Sequence, residues 1–162
     1  MTGSKDYARP SVTVDVVVVA KAGQQRKVLL VKRRNPPFEG CWALPGGFVE
    51  PDEPLEDAAR RELEEETGVV PAHMEQLHTF GDPGRDPRGW TISVAYLALL
   101  TEEDSPAWQA QAGSDAQAAG WFPPDHLPPL AFDHAHILAH ALRRLMAASQ
   151  QTESDPARWH PD

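Results

Sequence analysis

Glu62, Glu65 and Glu66 stand three and four residues apart in the run Arg61-Glu62-Leu63-Glu64-Glu65-Glu66-Thr67-Gly68. On a helix, residues so spaced are surface neighbours, and like charges there oppose one another by about 0.2–0.5 kcal/mol per pair. They also raise each other's pKa unless something positive lies among them. A hard divalent cation, Mg2+ or Mn2+, suits such a cluster, because it takes one or two carboxylates and completes its shell with substrate phosphates. Arg61 can neutralise part of the cluster and orient one glutamate. An acidic face turned to solvent is the usual fate of a Glu-rich helix; here the flanking pattern decides against it.

The elements that must carry these residues are legible. Pro54 to Thr67 predicts a helix: Asp52 and Glu53 place negative charge at its start, and Pro54 suits the first turn, where its missing N–H costs nothing. Gly68 follows the last periodic residue as a stop signal. Leu55, Ala58, Ala59 and Leu63 give a narrow apolar stripe. Upstream, Trp42 to Glu50 reads as a loop and strand, with Gly46-Gly47 allowing backbone to approach a ligand closely.

Strands are expected over Val12–Ala20, Lys27–Arg33, Met74–Phe80, Trp90–Leu100 and Ala118–Phe122, from their β-branched and aromatic content. Gly81–Gly89 is a loop rich in Gly, Pro and Arg, and Glu102–Gly113 a polar loop. A last helix follows Phe132, with Asp133 as N-cap and an apolar face of Ile137, Leu138, Ala141, Leu142 and Leu145. Residues 1–10 read as a lead-in, 11–148 as one domain and 149–162 as a mobile tail.

Composition narrows the function classes. A net charge of −9, with acids gathered between Glu50 and Glu66, argues against a duplex nucleic-acid binder. It also requires that an anionic substrate enter with metal ions. No run of 18 apolar residues suggests a membrane span, and the first residues lack the apolar centre of a signal peptide. Cys41 is the single cysteine, so no internal disulfide forms. A cytoplasmic protein is expected.

Gly47, five residues, Glu53, seven residues, then Arg61 to Val69 fill every fixed position of the Nudix box, G-x5-E-x7-R-E-U-x-E-E-x-G-U with U aliphatic. The chain therefore resembles the Nudix hydrolases. That resemblance implies an α/β fold, an α/β/α sandwich with a mixed β-sheet, and metal-dependent cleavage of a nucleoside diphosphate linked to another moiety. It makes Glu62 and Glu66 the main metal ligands and Glu65 a third. The backbone carbonyl of Gly46 joins them, with Glu53 behind them or on an additional metal. The general base stays open among Glu62, Glu65, Glu102, Glu103 and Asp115.

Outside the box, Phe38-x-Gly40-x-Trp42 to Glu50, Phe80-Gly81-x-Pro83-x-Arg85-Asp86-Pro87-Arg88 and Leu130-Ala131-Phe132-Asp133-His134 resemble the ADP-ribose pyrophosphatase-like branch. The implied reaction is hydrolysis of ADP-ribose or a relative to AMP and ribose 5-phosphate. Arg34, Arg85 and Arg88 are candidate phosphate or ribose contacts, since a guanidinium can bind phosphate through two parallel hydrogen bonds. Phe132 is a candidate at the substrate site, with rim packing as the competing use; His134 and His136 read as surface residues. Rival readings are an oxidised-nucleoside-triphosphate hydrolase and a non-catalytic ADP-ribose-sensing regulator; the intact box speaks against the second. The resemblance also allows a homodimer.

Overall fold

The computed structural model describes residues 6–108, 113 and 116–153. Its strands are β1 (Ser11–Ala22), β2 (Gln25–Arg33), β3 (Trp42–Ala43), β4 (Gly46–Phe48), β5 (Glu75–Phe80), β6 (Thr91–Leu100) and β7 (Ala116–Phe122). The helices are α1 (Leu55–Thr67) and α2 (His134–Glu153). The sheet runs in the order β3-β2-β1-β6-β5, with β4 paired to β1 and β7 to β2. Among the described strand pairs the long β1–β6 ladder is parallel, from Ser11 opposite Thr91 to Ala20 opposite Leu100, and the others are antiparallel.

β1 lies in the middle, and its valine run is buried on both faces, as a covered strand requires. Side chains alternate along it. Val14, Val16, Val18 and Ala20 pack with Leu29, Tyr96 and the α1 residues Ala58, Ala59 and Leu63. Val17 and Val19 turn the other way, onto Val28, Leu30, Leu97 and the α2 residues Ile137, Leu138 and Ala141. One helix on each face makes the expected α/β/α sandwich. Of the apolar stripes read from the sequence, Ala58, Ala59 and Leu63 of α1 and Ile137, Leu138 and Ala141 of α2 are buried, Leu142 and Leu145 are partly buried, and Leu55 is exposed.

Several boundaries differ from expectation; β1 runs on to Ala22 and β2 begins at Gln25, each a shift of two residues. Glu102–Trp108, expected as loop, winds into a 3-10 helix. β7 begins at Ala116, two residues early. α2 continues to Glu153, five residues into the segment expected as tail. Residues 154–162 lie outside those described. Asp133 does precede α2, and its carbonyl accepts from His136 and Ile137, but its carboxylate serves Arg85 instead of capping.

Candidate active site

α1 starts after Pro54 and carries the acidic residues along β4. Glu66 is half-buried near its C-terminal end and accepts the Gly46 amide at Oε2, 3.1 Å away. Burial raises its pKa to about 8; the Gly46 hydrogen bond opposes this, and the nearby charges of Glu62 and Asp15 add to it. Among the described residues no cation lies within ion-pair distance of Glu66. Glu62, one turn earlier, is also raised by burial, partly offset by Arg61. Its carboxylate lies against Gly47, where a Cβ would stand 2.5 Å from Glu62 Cδ. A Cβ on Gly46 would collide with the Val14 carbonyl and come within 2.7 Å of Asp15 Oδ1. The glycine pair is thus a steric requirement of strand and helix meeting here.

Arg61 organises the exposed side of this floor. Nε and Nη2 grip the two Glu53 oxygens at 2.6 and 3.0 Å, and Nη1 reaches Glu62 at 2.9 Å and Glu65 at 3.3 Å. Its own pKa rises, chiefly through the Glu53 hydrogen bond, so it stays cationic. Glu53 also accepts the Glu50 amide at 2.9 Å, which ties the loop before α1. Glu65 is half exposed, its side chain 50 % accessible, and it does not line the cleft; the expected third ligand stands outside it.

Behind the acids runs a buried polar network. Asp15, the one charged residue inside the valine run of β1, faces His134 Nε2 at 3.3 Å and accepts a short hydrogen bond from Ser93. Burial works against its charge, yet His134, Ser93 and Arg85 together outweigh it and hold its pKa below the ordinary aspartate value. His134 Nδ1 accepts the Leu44 amide at 3.0 Å. A backbone N–H can only donate, so Nδ1 is unprotonated and the proton sits on Nε2, facing Asp15. His134 is 4 % exposed, which corrects its reading as a surface residue.

Arg85 lines the cleft as well, but most of its fork is already engaged. Its side chain is 5 % exposed and spends Nε and Nη2 on the two oxygens of Asp133, at 2.9 and 2.7 Å. It fixes the Gly81–Gly89 loop to the start of α2. Arg88 is held by Asp86 through Nε and Nη2, and its guanidinium lies 4.8 Å from the Phe48 ring and 5.3 Å from that of Phe132. Arg33 covers Phe132 at 4.9 Å, and Arg34 donates to the Ala116 carbonyl at 3.2 Å. Phe132 reaches this wall because Leu130–Ala131 pairs with β3: the Ala131 amide donates to the Trp42 carbonyl at 2.8 Å.

Floor and wall enclose a cleft of about 560 Å3. Glu62 and Glu66 line it, together with Lys32, Arg33, Arg34, Arg88 and the rings of Phe48 and Phe132. A family profile described as the NUDIX domain matches residues 9–145, most of the chain. The chain belongs to the Nudix family. It is 42% identical over 137 residues to an ADP-ribose pyrophosphatase of Methanocaldococcus jannaschii, covering 85% of this chain and 76% of that protein. It is 37% identical over 151 residues to the ADPR responsive transcriptional repressor NtrR of Acinetobacter baylyi, covering 91% of this chain but only 59% of the repressor. The solved NUDIX domain of Shewanella oneidensis NrtR, complexed with ADP ribose, superposes with a TM-score of 0.78 at 41% identity. That match covers 86% of this chain and 90% of that one.

Nudix hydrolases in general use divalent metals, and the donor set fits one of modest demands. Among the described residues no three histidine, cysteine, aspartate or glutamate side chains converge on one point. Glu62 and Glu66 both line the cleft, and burial raises the pKa of each against the opposing charges of Arg61 at Glu62 and Arg33 at Glu66. A cation that accepts two carboxylates and takes the rest of its shell from backbone, water and phosphate suits that pair. Of the other candidates for the general base, Glu102 accepts the Gly23 amide at the β1–β2 turn and, like Glu103, does not line the cleft. Asp115 lies outside the described residues. No role for Asp15 was read from the sequence; a lone aspartate within an otherwise apolar, doubly covered strand was the available signal.

Proposed function

We propose that this Nudix protein hydrolyses the diphosphate linkage of ADP-ribose or a related nucleoside diphosphate derivative, with Mg2+ or Mn2+, to AMP and ribose 5-phosphate. The observation that carries this reading is one cleft lined by two half-buried carboxylates, Glu62 and Glu66, together with the cations Lys32, Arg33, Arg34 and Arg88. A diphosphate is the ligand that satisfies both groups, through metal on the acids and directly on the cations. The volume suits a nucleotide-sized ligand. The pyrophosphatase and the ADP ribose complex among the relatives support the choice of ADP-ribose.

Glu62, Glu66 and the Gly46 carbonyl would hold the metal, which supplies charge stabilisation to the phosphate oxygens and activates water. Arg61 keeps Glu62 oriented and ionised while remaining itself bound to Glu53. Arg88 and Arg34 face the substrate phosphates, and Phe132 with Phe48 holds the Arg88 guanidinium in plane. Glu62 is our preferred base: of the candidates among the described residues, it alone lines the cleft.

A second reading, an ADP-ribose-responsive regulator, takes support from the repressor relative. The two separate on turnover. Incubation with ADP-ribose and Mg2+ or Mn2+ should release AMP, and EDTA should stop it. Tight binding of intact ADP-ribose without AMP release would favour the regulator.

A further inference from the structure

We infer that His134 and Asp15 are positioning residues that set the backbone of Leu44-Pro45-Gly46, and through it the metal site. The inference rests on the proposed ligand set of Glu62, Glu66 and the Gly46 carbonyl. His134 stands at the first turn of α2 and holds the Leu44 amide on Nδ1. Two residues later, the Gly46 amide is held by Glu66. Between these anchors the Pro45 carbonyl accepts the Val16 amide at 2.8 Å.

Asp15 closes the arrangement from the other side. It is opposite Gly46 in the β1–β4 ladder, and its Oδ1, the atom facing His134 Nε2, also lies beside the open side of Gly46. Its other oxygen takes the Ser93 hydroxyl, so the carboxylate cannot rotate without losing a buried hydrogen bond. The short segment carrying Gly46 is therefore fixed at both ends and along one side. Loss of the imidazole would free the Leu44 end while leaving every proposed ligand in the chain. Partners that orient metal ligands from behind commonly change metal affinity by about 10–100-fold when removed.

The two nitrogens have different tasks, and substitutions can separate them. In His134→Asn the amide oxygen falls near the place of Nδ1 and can still accept from Leu44. His134→Gln places its amide nitrogen near Nε2 and keeps the donor to Asp15, but loses the Leu44 acceptor. Mn2+ binding to the free protein, followed by electron paramagnetic resonance of unbound Mn2+, reads the site without turnover, with Glu66→Gln as reference and circular dichroism melting for each variant. We expect His134→Gln to bind Mn2+ about 10–100-fold more weakly and His134→Asn within about threefold of wild type. Equal Mn2+ affinity in wild type and His134→Gln, with Glu66→Gln impaired, would overturn the positioning role while leaving the ligands intact. Wild-type affinity in Glu66→Gln would instead remove the ligand assignment on which it rests. If both histidine variants melt much earlier and weaken Mn2+ equally, His134 supports the fold and not the Leu44 segment in particular.

Discussion

The Gly46 amide donates to Glu66 Oε2 across 3.1 Å, and this contact joins β4 to the C-terminal end of α1. One neutral donor is little compensation for a half-buried carboxylate. The site is thus built with an excess of negative charge at a fixed place, and that excess has consequences that can be measured without substrate.

The first is a pH-dependent cost in metal-free protein. Glu66 has a folded pKa of about 8, above the unfolded glutamate value of roughly 4.3, so the folded state binds the extra proton between them. Stability should therefore fall as pH rises through that window, by up to about 1.4 kcal/mol per pH unit, and should show no such cost below it. Glu66→Gln removes the charge and keeps an acceptor for the Gly46 amide. In EDTA the variant should melt several degrees above wild type at pH 8 and close to it at pH 5. With Mg2+ its turnover should drop by at least about 100-fold. Wild-type turnover at saturating Mg2+ would remove Glu66 from the ligands.

Gly47→Ala tests the contact between strand and helix. The new Cβ would stand 2.5 Å from Glu62 Cδ, so the carboxylate has to move by about an ångström, a displacement that can cost about 100-fold in rate. We expect kcat to fall far more than melting temperature, since the side chain can swing toward Arg61 and solvent. Unchanged kcat would mean that the position of Glu62 does not matter.

Arg85 and Arg88 were alike in the sequence and differ in the structure. Arg85→Ala breaks a largely buried pair; such losses reach about 3–5 kcal/mol, and because Asp133 is partly exposed we expect about 2–3. Thermal melting should show it, with a drop of roughly 5–10 °C. Arg88→Lys keeps a charge beside Asp86 but loses the planar fork and its stacking on Phe48 and Phe132. Its kcat/KM for ADP-ribose should fall at least about tenfold with little change in melting. The reverse pattern, Arg85 kinetic and Arg88 structural, would refute the assignment of the wall.

What could be read from sequence was what local chemistry determines. The valine-rich β1 and β6 follow from β-branched content and the helical stripes from periodicity, and the spacing within the box already puts Glu62 and Glu66 on one helix face. What could not be read depends on partners far apart along the chain. Arg85 meets Asp133, 48 residues on, and Leu44 meets His134, 90 residues on; nothing near either residue signals the pairing. His134 read as a surface residue because its local sequence is polar, while its partners bury it. β3 and β4 are too short for periodicity and form because β1 and β2 offer them edges.

The most direct test is the ratio of kcat/KM for ADP-ribose and 8-oxo-dGTP, measured side by side with Mg2+ and with Mn2+, with products identified. We predict at least about a tenfold advantage for ADP-ribose, roughly 1.4 kcal/mol of transition-state stabilisation, with AMP and ribose 5-phosphate formed in equal amounts. A preference for the oxidised triphosphate, or ADP-ribose bound and released intact with either metal, would contradict the proposed function.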